Sequence, residues 1–155
     1  MRTRIGIMMV CMLLTMIATT PRLFAEVPNK SPEKLKQMAT HIVTGEVLRI
    51  YRRTEGKSTP RFDRHLAEVR VKAVEQGSGV ETGSLIYVRY FTKHNAPGVT
   101  DTAGHRDLPA EGDSVRIHLA RNAADGYNQA ANNNDGGFNV LFPNGFEKLA
   151  PERKD

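Results

Sequence analysis

The chain has 155 residues, a formal net charge of +5 and a single cysteine, Cys11. Its length matches one ordinary domain. Because Cys11 lies in an apolar N-terminal run, the rest of the chain has no thiol for a disulfide, a cysteine nucleophile or a zinc-thiolate site.

Residues 1–25 have the pattern of a cleavable secretory signal peptide. Arg2 and Arg4 form a positive start, an apolar run follows over residues 5–18, and the candidate cleavage site lies between Ala25 and Glu26. The run is shorter than the roughly 20 apolar residues that a membrane-spanning helix needs. We therefore expect a secreted or periplasmic protein with no membrane span after cleavage. An uncleaved anchor is the alternative.

Cleavage after Ala25 would also change the charge of the protein. The leader carries three arginines, so residues 26–155 hold 19 lysines and arginines against 17 acidic residues, a net charge of +2. That balance is not typical of a polybasic nucleic-acid-binding domain. We expect one exported domain over residues 26–155, with no nucleic-acid partner and no cofactor.

The first predicted element of this domain is a helix at about residues 32–39. Ser31 is a capping residue, Pro32 fits the first helical position, and apolar residues follow at helical spacing. The periodicity then becomes two, which predicts a strand over 41–51 with a bulge near Glu46 to Leu48. A second strand is predicted over 66–75, where apolar and charged residues alternate.

Three further strands are predicted over residues 85–91, 115–119 and 138–142. The segment from Thr92 to Asp113 shows no clear periodicity, and a connection of that length is usually functional or poorly ordered. These elements predict a mainly β fold: a small five-stranded OB-like barrel with one short N-terminal helix and a core over about 35–149. A small β-sandwich is the alternative.

The order of four sequence phrases resembles the OB-fold of the tissue-inhibitor-of-metalloproteinase and netrin-module superfamily. The phrases are Ala-x-x-Ile-Val-x-Gly-x-Val over 39–47, the alternating run over 67–74, the apolar strand over 85–91, and Gly-Asp-x-Val-x-Ile-x-Leu over 112–119. The resemblance implies a binding scaffold that works through its loops. It implies no inhibitory residue, because the inhibitors of that family bind zinc through an N-terminal cysteine and residues 26–155 contain none.

The predicted connection between the first two strands, residues 49–64, is rich in positive charge. It holds six arginines and lysines against two acidic residues. Arg52, Arg53, Arg61 and Arg64 are therefore candidate contacts for an anionic polymer or an acidic protein partner. The alternative is a solvated loop whose charge keeps the protein soluble. The sequence indicates no oligomeric state.

The histidines of the long loop are the candidate metal ligands. His94 and His105, with Asp101 and Asp107 nearby, have side chains that zinc or copper accepts. His118, on the polar face of the fourth predicted strand, could approach them. No rigid helical spacing holds His94 and His105 together, because they lie eleven residues apart.

Three function hypotheses follow from these features. The leading one is an exported, non-enzymatic binding module for a protein partner or an anionic envelope component. The second is a small exported metal-binding protein that uses His94 and His105. The third is an accessory domain that packs on a larger complex through the phenylalanines of the C-terminal segment. No enzyme is expected, because the sequence has no Gly-x-Ser-x-Gly, His-Glu-x-x-His or phosphate-loop motif.

Overall fold

A computed structural model describes residues 28–98, 104–121 and 137–150. The proposed signal peptide with its cleavage site at Ala25 and Glu26 lies outside these ranges, as does Asp101. The elements, in chain order, are α1 (Pro32–Met38), β1 (His41–Glu55), β2 (Arg61–Gln76), β3 (Leu85–His94), β4 (Ser114–Arg121), β5 (Phe138–Val140) and β6 (Phe146–Lys148). Within the described ranges, no helix has the length and apolar character that crossing a membrane requires.

Helix α1 begins where the sequence predicts. The Ser31 hydroxyl oxygen accepts a hydrogen bond from the Lys34 amide at 3.3 Å, and Pro32 needs no partner for a missing N–H. Leu35 of α1 is buried against residues of β1 and β4 and of the segment after β5. The members of this outer cluster are Leu35, Ala39, Ile42, Ala120, Leu141 and Phe142. The helix therefore covers one part of the outer surface of the barrel.

The strands close into a barrel in the order β1-β2-β3-β5-β4, and β4 pairs back with β1. The β3–β5 pair is parallel and the other pairs are antiparallel. The short β6 is an extra strand beside β4. The fold is therefore mainly β, an OB-like five-stranded barrel with one short N-terminal helix, as the sequence predicts.

Aliphatic residues at alternate strand positions fill the interior, since successive side chains of a strand point to opposite faces. The fully buried members are Val43, Val47, Ala67, Val69, Val88, Val115, Ile117, Leu119 and Val140. The predicted bulge is present as a register shift between Val47 and Arg49. Gly45 lets β1 coil closely over β2, because a Cβ there would lie 2.6 Å from the Arg70 carbonyl oxygen.

The structure corrects the prediction of a basic loop over residues 49–64. Strands β1 and β2 stay paired from Arg49 opposite Glu68 to Glu55 opposite Phe62, so only residues 56–60 form the turn. Charged side chains at both inward and outward positions conceal the strand pattern here. Pairing still forms because it satisfies main-chain N–H and C=O groups whatever the side chains are.

The C-terminal phenylalanines are also placed by the fold. Phe138 and Phe146 lie in the barrel core and Phe142 packs in the outer cluster, with exposed fractions of 8%, 4% and 5%. A partner contact through these three side chains is therefore wrong, because the fold itself buries them.

Candidate ligand-binding groove

The β1–β2 hairpin extends beyond the closed part of the barrel. The ladder between β1 and β4 ends at Glu46 opposite Ser114. Beyond that point β1, β2 and β3 stay paired with one another, and β5 lies beside β3 only at Val88 and Arg89. Residues in phase with the buried Ala67 face inward, and the residues between them face outward. The two faces of this extension have different compositions and different roles.

A groove of about 610 Å³ crosses the outer face of the extension. One row of cross-strand neighbours along it consists of Tyr51, Leu66 and Arg89, and Asn139 of β5 continues the row. Because the groove runs across the strands, a ligand chain lying in it would contact side chains from β1, β2, β3 and β5.

The second row consists of Arg53, Arg64 and Phe91, which are also cross-strand neighbours. Residues Arg52, His65 and Tyr90 lie between the two rows and line the groove as well. Their strand phase directs their side chains toward the other face, so they contribute mainly main chain to its floor. The floor therefore has the rigidity of paired strands.

The groove is positive, because the side chains of Arg53, Arg64 and Arg89 line it together with one carboxylate. That carboxylate, Glu55, is shared: Arg53 donates to one oxygen and Arg64 Nε donates to the other at 3.3 Å. Hydrogen bonds from Arg53 and then Arg64 lower the pKa of Glu55. The Arg64 guanidinium also lies over the Phe91 ring, 5.2 Å from its centroid. Two guanidinium groups are thus held at the groove by a single acid.

A polar network occupies the inner face directly behind the groove. The Asp63 carboxylate, whose side chain is 2% exposed, accepts from Thr54 Oγ1 at 2.6 Å, from His94 Nε2 at 2.7 Å and from Arg52. The hydrogen bonds from Thr54, His94 and Arg52 hold the pKa of Asp63 well below its usual range, although burial acts in the opposite direction. Asp63 is therefore ionised, and its hydrogen bonds link β2 to β1 on one side and to β3 on the other.

The structure places the four arginines that were predicted as ligand contacts in different surroundings. Arg53 and Arg64 flank the groove, whereas the guanidinium of Arg52 is engaged with Asp63. Arg61 is exposed near the hairpin turn and is not among the residues that line the groove. Arg89, which sequence reasoning missed, joins the groove because β3 lies beside β2. The signal for it was the alternation of Tyr87, Arg89 and Phe91 with buried residues.

The two candidate metal ligands have separate structural partners. His94 is bound to Asp63, as described above. His105 is buried, with Nε2 positioned to donate to the Val140 carbonyl at 2.9 Å and Nδ1 to accept from the Phe91 amide at 3.1 Å. His118 lies on the outer side of β4 and lines a small hollow with residues of α1. The described ranges contain no group of three or more His, Cys, Asp or Glu side chains placed to hold a metal.

Two imidazoles, the buried His118 and the half-buried His65, should make the stability of the protein sensitive to mild acid. Burial lowers the pKa of His118, and burial followed by the charge of Arg52 lowers that of His65. The unfolded chain takes up these protons near pH 6.5, whereas the folded protein resists them. Stability is then complete above that pH and decreases as the pH falls below it. We expect a lower Tm at pH 5.5 than at pH 7.5 by circular dichroism.

His118→Gln provides the comparison for this pH dependence. Gln cannot take up a proton, so the fall in Tm between pH 7.5 and pH 5.5 should be smaller in the variant, whatever its Tm at pH 7.5. An undiminished fall would assign the acid sensitivity to other groups. The depressed pKa values of Asp63 and Asp113 act in a separate window, below the usual carboxyl range.

The barrel, its hairpin extension and the basic groove are features of this chain that comparison with known proteins does not explain. No protein-family model matches the sequence, and neither curated proteins nor solved structures provide a match. Function is therefore inferred from the geometry and charge of the groove.

Proposed function

We propose that this protein is an exported, non-enzymatic binding module that holds an anionic ligand in the groove across β1, β2 and β3. The observation that carries the proposal is the groove lining, where the side chains of three arginines, Arg53, Arg64 and Arg89, accompany a single carboxylate. Its planar, fixed guanidinium groups suit carboxylate, sulfate or phosphate oxygens. The pattern of residues 1–25 supports a ligand outside the cytoplasm.

The existing ion pairs of the groove do not oppose this role. The side chains of Arg53 and Arg64 are 79% and 45% exposed, so their pairs with Glu55 are solvent-accessible. Exposed ion pairs contribute little to stability. An incoming anion can therefore replace Glu55 at one guanidinium at low cost. Glu55 meanwhile keeps the two arginines near the groove in the absence of ligand.

The resemblance to the netrin-module superfamily agrees with this proposal in one respect. Its members use a small barrel as a scaffold for binding, and the groove crosses the face on which OB barrels hold extended ligands. We propose kinship in scaffold alone. The contacts named here, Arg53, Arg64 and Arg89, come from the geometry of this chain.

Charge reversal at the groove is the direct test. The purified protein should be retained on a heparin column, and Arg53→Glu combined with Arg64→Glu should elute at clearly lower salt. The physical reason is the loss of two cations from the site together with repulsion by two new carboxylates. These positions are preferable to Arg52, whose reversal would place a second carboxylate beside buried Asp63.

The matched control is Lys34→Glu combined with Lys36→Glu on α1, which changes the net charge equally and lies away from the groove. This variant should elute close to the parent. The proposal fails if the parent is not retained, or if both double variants elute at the same salt concentration. Circular dichroism spectra of all three proteins confirm that each is folded.

A further inference from the structure

The outer face of the hairpin extension combines cations with aromatic rings well beyond the groove itself. The outward positions alternate along each of the three strands, and their strand pairing places them side by side. The outward residues are Arg49, Tyr51, Arg53 and Glu55 of β1, Phe62, Arg64, Leu66, Glu68 and Arg70 of β2, and Leu85, Tyr87, Arg89, Phe91 and Lys93 of β3. With Glu46, which is opposite Arg70 in the same row, this face has six cations, four aromatic rings and three acids.

Two of these rings are unusually open to solvent. Tyr51 and Tyr87 are 48% and 50% exposed, and they lie on the outer face with Leu85, which is 46% exposed. No other large hydrophobic side chain of the described ranges is comparably exposed. A tyrosine on a paired strand has few accessible rotamers, so a ligand that stacks on it loses little additional side-chain entropy.

The register fixes how these rings stand relative to the charges. Tyr87 is directly opposite Glu68, and Tyr51 lies in the row of Arg89. Strand spacing and residue rise put Tyr51 and Tyr87 about 12 Å apart across the sheet. Leu66 and Glu68 of β2 lie between them, and Arg49 and Arg89 occupy the other two corners of this patch, so each ring has a cation on its own strand and a hydrogen-bond acceptor nearby. The Tyr51 hydroxyl is itself 3.5 Å from a Glu68 oxygen.

We infer that the anionic ligand is an acidic polysaccharide, a chain of sugar rings that carry carboxylate or sulfate groups. This inference rests on the proposed function of the groove and specifies its ligand class. The apolar faces of sugar rings stack on Tyr51 and Tyr87, the acidic groups bind the arginines, and Glu68 accepts from sugar hydroxyls. Polyphosphate has no ring to stack, and an acidic peptide has no flat ring at each repeat.

Removal of the two exposed rings tests the ligand class. Titration calorimetry with alginate oligosaccharides, whose every unit is a carboxylated sugar, should show binding by the parent. Tyr51→Ser combined with Tyr87→Ser should weaken alginate binding about tenfold. The same variant should bind polyphosphate as the parent does, because phosphate groups use only the arginines. Tyr51→Phe combined with Tyr87→Phe keeps both rings and should retain most alginate binding.

The outcomes separate this inference from the function on which it rests. If the serine variant binds alginate as tightly as the parent, or loses polyphosphate binding equally, the ring-stacking inference is wrong and the anion-binding groove stands. Tighter binding of poly-L-glutamate or polyphosphate than of alginate by the parent would likewise overturn the inference. If the parent binds none of the three polymers, the inference fails, and if the parent is also not retained on heparin, the proposed function fails with it.

Discussion

Replacement of Gly145 by alanine should destabilise the protein by about 3 kcal/mol. A Cβ at this position would lie 2.1 Å from the Leu141 carbonyl oxygen and 2.7 Å from Val140 Cγ1. The obstacle is main chain and cannot rotate away, so the turn between β5 and β6 must open. Opening it also disturbs the 2.9 Å hydrogen bond from the His118 amide to the Gly145 carbonyl. Urea unfolding should show the loss of free energy of unfolding, and thermal unfolding should show a fall in Tm of roughly 10 °C.

Gly83→Ala is the comparison that separates this steric effect from backbone conformation. Gly83 has a φ of +86°, and a Cβ there would meet nothing within 4 Å. Only the cost of the left-handed conformation remains, about 1 kcal/mol. Equal losses in the two variants would show that close packing at Gly145 is not the cause.

Asp63→Asn should cause the other large effect, a fall in Tm of roughly 5–10 °C. One carboxylate oxygen becomes an NH₂ group, and the negative charge disappears. At least one of the donors Arg52, Thr54 and His94 then faces another donor, and Arg52 loses its ion pair.

The control for Asp63→Asn is Asp113→Asn. Asp113 also has a lowered pKa, through hydrogen bonds from the Ala110 amide and Lys148, but its side chain is 34% exposed. Water can replace the lost interactions there, so its Tm should fall much less. If both substitutions lower Tm equally, the buried network is not a special anchor of the hairpin. Differential scanning calorimetry of the parent and both variants decides between these results.

The architecture was predictable where one physical signal dominated. The cap and proline before α1 marked its start, and alternation around the buried Val69 and Ile117 identified β2 and β4. β6 was missed because it has three residues and only Phe146 faces the core. Nothing in such a short segment differs from a turn until β4 is present to pair with it.

The positive charge of the candidate site was predictable from the sequence, but its position on paired strands was not. The cluster of arginines over residues 49–64 predicts concentrated positive charge, yet its sequence pattern is that of a loop. Polar residues such as Asp63 and His65 occupy inward positions there, which removes the alternation that identifies a strand. Their burial is possible only because Arg52, Thr54 and His94 satisfy Asp63 from neighbouring strands.

The sequence by itself determined the helix start, the alternation of the core strands, the barrel class and the concentration of positive charge before Leu66. These depend on contacts between residues close in the chain, or on patterns that any sheet would use. Only the tertiary structure decided that Arg53, Arg64 and Arg89 share one groove while the guanidinium of Arg52 is held behind it. That division depends on the register of β1, β2 and β3, which is a long-range property set by closure of the barrel.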